Sequence, residues 1–295
     1  MLPFLRWAGG KRKLAEMISD CFPEIFWQSN NKFYEPFVGG GALMLHLGEA
    51  NSIKYIPGSR IVINDMNPDL ICTYKCIRDN LPELIFELEQ LTKDLSKERY
   101  LEIRSQHSLE GVPRAARFIY LNKTGFNGLW RVNSKGFYNV PWGQLKNPAV
   151  FDSENLLQVA KRLHAAKITN LNFSEAVASA VKGDVAYFDP PYIPLSDSSS
   201  FSQYAKADFG IREQIQLAET IALLKSKSVN VILSNSDTEQ SRQIFEKHLN
   251  LYQINAARAI AAKASSRGSV KEIIGTSKLI PVELLPPGMT PISFC

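Results

Sequence analysis

Apolar residues in this chain follow two alternating patterns. Short unbroken runs lie at Phe33–Phe37, Ile61–Ile63, Ile168–Leu171, Val185–Phe188 and Val229–Leu233, and each ends in a polar or glycine-rich tip. Runs of that length bounded by turn residues predict strands buried on both faces. Between them, apolar residues recur at helical spacing over Lys11–Cys21, from about Ala42, over Ser153–Ala165, Ile211–Ser226 and Asp237–His248. Closing strands are predicted around Leu251–Ala257 and Glu272–Gly275. Strands alternating with helices predict an α/β fold with a doubly wound sheet.

The alternation stops in the middle. From Pro68 to about Lys123 the spacing is helical, over Leu81–Leu95, Ser96–His107 and Ala115–Leu121. Thr124–Arg131 then breaks the period. Val132–Gly143 reads as a β-hairpin turning at Ser134-Lys135-Gly136. The chain therefore divides into one discontinuous α/β unit, 1–68 with 150–295, and a helical plus hairpin insert over 69–149.

Strand tips are where such folds place chemistry. Phe33-Tyr34-Glu35-Pro36-Phe37 runs into Val38-Gly39-Gly40-Gly41 and a helix, and the next strand ends at Asn64-Asp65. Strand, glycine turn, helix, and strand with an acid at its tip make the layout of a nucleotide-type cofactor site. The spacing is neither Gly-x-Gly-x-x-Gly nor a P-loop, so an adenosine cofactor without phosphate fits better. S-adenosylmethionine is the commonest of these. A plain strand-to-helix connection fits the glycine turn equally well.

The tip after Val185-Ala186-Tyr187-Phe188 is Asp189-Pro190-Pro191-Tyr192. Asp189 accepts an amino N–H, the Pro190 carbonyl accepts a second, and Tyr192 offers a face for stacking. Two fixed acceptors beside an aromatic ring suit the exocyclic amine of a nucleobase. The same four residues also fit an ordinary turn that ends a strand.

Composition narrows the partners. With 45% hydrophobic and 21% charged residues the 295-residue chain is globular, and it is long enough for a large domain with an insertion. No apolar run reaches transmembrane length and the first residues lack a signal-peptide core, so a cytoplasmic location and no membrane partner are expected. The four cysteines and four histidines show no metal-ligand spacing, which predicts no metal. A net charge of +5 permits a polyanionic partner. Cations interleave with aromatics, Asn and Gly through the hairpin, the composition of a nucleic-acid contact surface. A capping hairpin whose aromatics form its own small core is the alternative.

Taken in order, these segments resemble the DNA adenine methylase (Dam) family of N6-adenine methyltransferases. Phe4-Leu5-Arg6-Trp7-Ala8-Gly9-Gly10-Lys11 is similar to the family's N-terminal cofactor motif, and Tyr34-Glu35-Pro36-Phe37-Val38-Gly39-Gly40-Gly41 to its glycine motif. Asn64-Asp65-Met66-Asn67-Pro68-Asp69-Leu70 matches its acidic strand tip. Leu121-Asn122-Lys123 through Trp142-Gly143 resembles its target-recognition hairpin. Asp189-Pro190-Pro191-Tyr192, followed by Pro194-Leu195-Ser196, matches its catalytic motif, and Leu233-Ser234-Asn235-Ser236-Asp237 the next strand tip. Residues 81–110 and those after Pro286 carry no usable motif.

The resemblance implies a Rossmann-like methyltransferase sheet whose insert reads double-stranded DNA. It implies methyl transfer from S-adenosyl-L-methionine to adenine N6, with GATC as the expected site and the adenine flipped out of the duplex. The implied catalytic residues are Asp189, Pro190, Pro191 and Tyr192. The implied cofactor residues are Trp7, Lys11, Glu35, Phe37, Gly39, Gly41, Asp65, Phe173 and Asp189. Lys11 is expected near the methionine carboxylate, Glu35 at the glycine turn or the methionine ammonium, Asp65 at the ribose hydroxyls, and Phe173 on the cofactor adenine. For DNA, Arg131 is the expected guanine contact, and Phe126 and Asn127 the groups that fill the gap. Leu129 and Pro141 are placed for a thymine methyl, and Arg6, Lys123 and Lys135 for phosphates, with Asn133 also on the DNA surface. A partner endonuclease, and a housekeeping, phage or restriction role, stay open. Methylation of RNA or of a protein amide is a second reading. A methylase-derived DNA-binding protein without catalysis is a third, against which the intact Lys11, Asp65, Asp189 and Tyr192 count.

Overall fold

Five of the apolar runs form parallel strands: β1 (Phe33–Glu35), β2 (Ile61–Asn64), β3 (Lys167–Thr169), β4 (Val185–Phe188) and β5 (Asn230–Ser236). Three more join through antiparallel pairs: β6 (Asn250–Ala257), β7 (Ser269–Thr276) and β8 (Thr290–Pro291). The sheet order is β3-β2-β1-β4-β5-β7-β6-β8 in this computed structural model, which describes residues 1–7, 9–48, 54–146, 148–194, 209–257 and 269–292. The fold is thus α/β and doubly wound, as the alternation predicts.

Every residue of β1, β2, β4 and β5 is buried, which is why these strands read as unbroken apolar runs. Successive side chains serve opposite faces. Tyr34, Val62, Ala186, Phe188, Val231 and Leu233 enter one core, against α10 (Ile211–Ser226) and α11 (Glu239–Phe245). Phe33, Ile61, Ile63, Val185, Tyr187 and Ile232 enter the other.

That second core is covered by α1 (Ala15–Asp20), α3 (Ala42–His46) and α8 (Ser153–Leu163). It continues without a break into the helical region after β2, where α4 (Pro68–Asp79), α5 (Leu81–Thr92) and α6 (Lys97–Ser105) surround α7 (Gly111–Thr124). Pro68 sits at the first position of α4 and the Asn67 side chain accepts from the N–H groups of Asp69 and Leu70, so the helix begins where the acidic strand tip ends. Two one-turn helices, α2 (Glu24–Trp27) and α9 (Phe173–Ala176), are too short to show a helical period in the sequence.

Several element ends differ from the sequence expectation by a few residues, and two of the differences bear on the site. α1 starts at Ala15, because Lys11–Leu14 forms turns. β5 runs on through Ser234-Asn235-Ser236, which the sequence suggests is a polar tip. These residues pair with Ile274, Ile273 and Glu272 of β7, and each polar side chain finds a buried partner.

After α7 the chain turns through a 3-10 helix at Phe126–Gly128 into the hairpin. Asn133 N–H donates to the Phe137 carbonyl at 2.8 Å and Asn139 N–H to the Arg131 carbonyl at 3.0 Å. The Asn133 side-chain oxygen accepts from Lys135 and Phe137 N–H, closing the turn in which Gly136 takes φ 78°. Trp130 packs against Phe118 and Tyr138, with ring centroids 4.1 and 4.6 Å away, so part of the hairpin's aromatic content is core.

Candidate active site

The chain runs from β1 out to β2 and β3, then returns to lay β4 on the other side of β1. The carboxyl ends of β1 and β4 therefore flank the point where winding reverses, the place where sheets of this kind leave a crevice. Glu35 ends β1, and Asp189 follows the last residue of β4.

The glycine turn after β1 is held from three sides. Gly39 N–H donates to Asp65 Oδ2 at 3.0 Å, the Tyr74 hydroxyl donates to the Gly39 carbonyl at 2.9 Å, and Val38 N–H donates to the Asn64 carbonyl at 2.9 Å. Gly39 and Gly41 adopt φ 47° and 69°, a region that favours glycine. Space demands glycine as well. A Cβ on Gly39 would lie 2.7 Å from the Trp7 indole, and one on Gly41 would lie 2.6 Å from the Tyr74 hydroxyl. Trp7 is thus packed on the turn.

Glu35 is buried, and its Oε2 has no hydrogen-bond partner among the described residues. Burial, then the neighbouring Asp189, pushes its carboxyl well above the usual range, against the opposing pull of the Met44 N–H and Arg162. The Asp65 carboxyl is raised by burial, which outweighs the N–H groups of Asn67 and Gly39 bonded to it. Phe37 lies half-buried over the buried Phe173, with centroids 5.5 Å apart. Phe37 is the more exposed of the two rings only in degree: Phe173, the ring expected on the cofactor adenine, is buried, and Phe209 meets Phe37 and Phe173 with centroids 5.5 and 5.9 Å away.

Asp189-Pro190-Pro191-Tyr192 is fixed from behind. The Gln214 side chain on α10 donates to the Pro191 carbonyl at 2.8 Å and accepts from Asn235 Nδ2 at 3.1 Å. Asn235 Oδ1 accepts from Ile193 N–H at 3.2 Å, and the Ser236 hydroxyl donates to the Ile193 carbonyl at 2.6 Å. No described residue donates to the Pro190 carbonyl.

In front, the Lys11 ammonium lies 3.0 Å from Asp189 Oδ1 and 4.7 Å from the centroid of the Tyr192 ring. Its hydrogen bond goes to the Gly9 carbonyl at 2.8 Å. The ion pair is out of line for a hydrogen bond, and Asp189 Oδ1 has no donor among the described residues. Burial raises the Asp189 carboxyl, with Lys11 and Tyr192 pulling the other way. The Tyr192 hydroxyl donates to Glu272 Oε2 at 3.0 Å.

Three groups of the expected site residues meet in this way: Lys11 with Asp189 and Tyr192, Trp7 and Asp65 each with Gly39, and Phe37 with Phe173. Of the expected DNA residues, Arg6 is exposed in the N-terminal segment, and the others lie between Lys123 and Pro141. Phe126, Asn127, Asn133, Lys135 and Pro141 are exposed, while Leu129 and Arg131 are half-buried. Arg131 Nε donates to Asn139 Oδ1 at 2.6 Å and Nη2 to the Asn139 carbonyl at 3.0 Å, which fixes the plane of the guanidinium. Lys123 is half-buried, and burial followed by the charge of Arg6 lowers its pKa. Leu195 and Ser196 lie outside the described residues.

Four residues of the site have no role in the sequence reading: Gln214, Asn235, Glu272 and Asn122. Asn122, fully buried, accepts from Arg6 N–H at 2.8 Å and donates to the carbonyls of Arg6 at 2.8 Å and Gly128 at 2.9 Å. It thereby ties the segment carrying Trp7 and Lys11 to the base of the hairpin. Among the described residues no group of His, Cys, Asp and Glu could hold a metal, and no helix is long and apolar enough to cross a membrane.

Residues 7–260 match the family model of the D12 class N6 adenine-specific DNA methyltransferase. The chain is 41% identical over 283 residues to the type II methyltransferase M1.LlaDCHI of Lactococcus lactis subsp. cremoris, covering 93% of this chain and 95% of that protein. It is 38% identical to the type II methyltransferase M.MjaIII of Methanocaldococcus jannaschii, over 90% of this chain and 94% of that one. It is 34% identical to a DNA adenine methylase of Haemophilus influenzae, over 92% of each.

Proposed function

The chain belongs to the D12 class of N6 adenine-specific DNA methyltransferases, and we propose that it transfers a methyl group from S-adenosylmethionine to adenine N6 within GATC, on a base turned out of the duplex. The observation that carries this reading is the Asp189 carboxylate at the winding reversal, with Lys11 against one oxygen and Tyr192 beside it.

The residues at the tips of β1 and β2 fit the cofactor. Glu35 Oε2, buried with no described donor, suits the methionine ammonium. Lys11 suits the carboxylate, Asp65 keeps lone pairs for ribose hydroxyls beyond the two backbone N–H groups it accepts, and Phe37 offers a face to the adenine. Trp7, packed on Gly39 and Gly40, forms the wall between them, with Gly41 completing the turn. When bound, the cofactor supplies a sulfonium-activated methyl group.

The protein's share is then placement, which can supply up to ~7–11 kcal/mol of a barrier. Asp189 and the Pro190 carbonyl accept the two N6 hydrogens and aim the nitrogen lone pair, and Tyr192 holds the ring flat. Lys11 favours the Asp189 anion against burial, and that carboxylate accepts the N6 proton once the N6–carbon bond has formed and passes it to solvent. An adenine inside a duplex cannot enter such a crevice, so the base is extruded at a cost of a few kcal/mol. Phe126 and Asn127, exposed on the 3-10 turn, are placed to fill the gap. Arg131 reads guanine, Leu129 and Pro141 contact the thymine methyl, and Arg6, Lys123 and Lys135 face phosphate.

The test is to incubate the protein with unmethylated genomic DNA and labelled cofactor, then map the modified adenines by sequencing. Label confined to adenine of GATC supports the reading. Label at another sequence overturns the site, and label on cytosine or none at all overturns the reaction.

A further inference from the structure

Tyr192 is gripped from outside its own motif. Its hydroxyl donates to Glu272 Oε2 at 3.0 Å, across 80 residues of sequence. Glu272 lies on β7, paired with Ser236 of β5 and Ile254 of β6. β7 is the antiparallel strand laid between β5 and β6, so the acid reaches Tyr192 only because the sheet closes in this order. On the other side, Lys11 sits 4.7 Å from the Tyr192 ring centroid.

We propose that Glu272 is a positioning residue for methyl transfer, which fixes and polarises the Tyr192 ring through its hydroxyl. The inference rests on the assignment of Tyr192 to the adenine-holding site. Two physical effects follow from the bond. A phenol anchored at its far end loses its freedom about two side-chain torsions, so the ring becomes a fixed platform for a flat base. A hydroxyl donating to a carboxylate also makes a charge-assisted bond, and it shifts electron density into the ring. That deepens the negative face which attracts positive charge. Adenine gains such charge as the N6–carbon bond forms and the sulfur–carbon bond breaks, until the N6 proton leaves. Glu272 therefore acts most strongly in the transition state, and its loss lowers turnover more than binding.

A double-mutant cycle tests this. Single-turnover methylation of a duplex, together with dissociation constants for cofactor and DNA, is measured for Glu272→Ala, Glu272→Gln, Tyr192→Phe, Tyr192→Ala and the double variant Glu272→Ala/Tyr192→Phe. Loss of one charge-assisted hydrogen bond predicts a rate about tenfold lower for Glu272→Ala, with both dissociation constants unchanged. Glu272→Gln, which keeps an acceptor but not the charge, recovers part of the rate. In the Tyr192→Phe background, Glu272→Ala slows the reaction no further. Should Glu272→Ala unfold, the near-isosteric Glu272→Gln and a further double variant, Glu272→Gln/Tyr192→Phe, give the same reading: Glu272→Gln slows the parent protein but not Tyr192→Phe.

Equal slowing of both backgrounds, or an unchanged rate in the parent, overturns the positioning role. If Tyr192→Ala methylates at the full rate, the site assignment falls and the positioning role with it. If Tyr192→Ala fails while the Glu272 effects are additive, only the positioning role falls.

Discussion

The Lys11 ammonium lies 3.0 Å from Asp189 Oδ1 and gives its hydrogen bond to the Gly9 carbonyl. The pair joins the N-terminal segment to the tip of β4, two parts of the chain that no local pattern connects. It also stands in a largely buried place, where a lone carboxylate would be costly. Of the neighbours that favour the Asp189 anion against burial, Lys11 is the strongest.

Replacing Lys11 by Met should therefore move the acid side of the pH–rate profile. Lys11 lowers the Asp189 pKa against a larger upward push from burial. Without it the carboxyl titrates at higher pH, so the acid limb of kcat/KM shifts upward and activity at neutral pH falls. An unmoved acid limb in the Lys11→Met protein contradicts the role assigned to the pair.

Glu35 yields a prediction of opposite sign for stability and function. Its folded-state pKa lies well above its usual 4.5, so folding takes up a proton as pH rises from about that value. The resulting stability is greatest below the unfolded pKa and is lost as pH rises through the folded one. Glu35→Gln, which cannot ionise, should flatten the fall of Tm with rising pH and raise Tm at neutral pH in the absence of ligand. The same variant should bind S-adenosylmethionine more weakly, measured by calorimetry. A Tm profile parallel to that of the parent protein contradicts the burial argument.

Asn122 makes three hydrogen bonds from a fully buried position. Asn122→Ala strips partners from the Arg6 and Gly128 backbone, and leaving such a buried group unsatisfied costs about 1–3 kcal/mol. Gly128→Ala should act at the same joint, because Gly128 has φ 64° and a Cβ there would collide with the Arg6 side chain. Denaturant unfolding measures both. Each variant should lose discrimination between cognate and altered DNA sites along with stability. Full stability in Asn122→Ala refutes the joint.

Arg131 carries the sequence choice in this account. A bidentate guanidinium–guanine pair discriminates by ~1–3 kcal/mol. Arg131→Ala should therefore methylate altered sites more evenly, with unchanged cofactor affinity. Arg131→Lys should not rescue it, because Asn139 orients a fork that lysine lacks. A uniform loss over all sequences would make Arg131 a phosphate contact.

The strands were legible because both faces are covered, which writes them as apolar runs such as Val185–Phe188. Asp189-Pro190-Pro191-Tyr192 was legible because its four residues are consecutive. Glu272 was not, since its contact with Tyr192 depends on β7 entering the sheet between β5 and β6. Gln214 and Asn235 were hidden for the same reason: a polar residue on a helix or strand reads as surface until its partner is placed. The end of β5 reads as a tip because the partners of Ser234, Asn235 and Ser236, on β4, on β7 and at Ile193, are distant in sequence. Asn122 lay within a quoted motif, yet nothing in sequence says that its side chain closes on Arg6.

Asp189→Ala separates binding from chemistry. The account expects no methylation in a single turnover, with DNA affinity retained, since the hairpin and its cations are untouched. Methylation by a clean preparation of that variant removes Asp189 from the reaction.

The central claim is that Asp189 and the Pro190 carbonyl grip the amine of an extruded adenine. A crystal structure of the protein with a non-reactive cofactor analogue and a GATC duplex tests it most directly. The account predicts adenine out of the stack, its N6 within hydrogen-bond distance of both acceptors, its ring against Tyr192 and the analogue over the Gly39–Gly41 turn. An adenine still stacked in the helix, or an analogue bound elsewhere with this crevice empty, contradicts it.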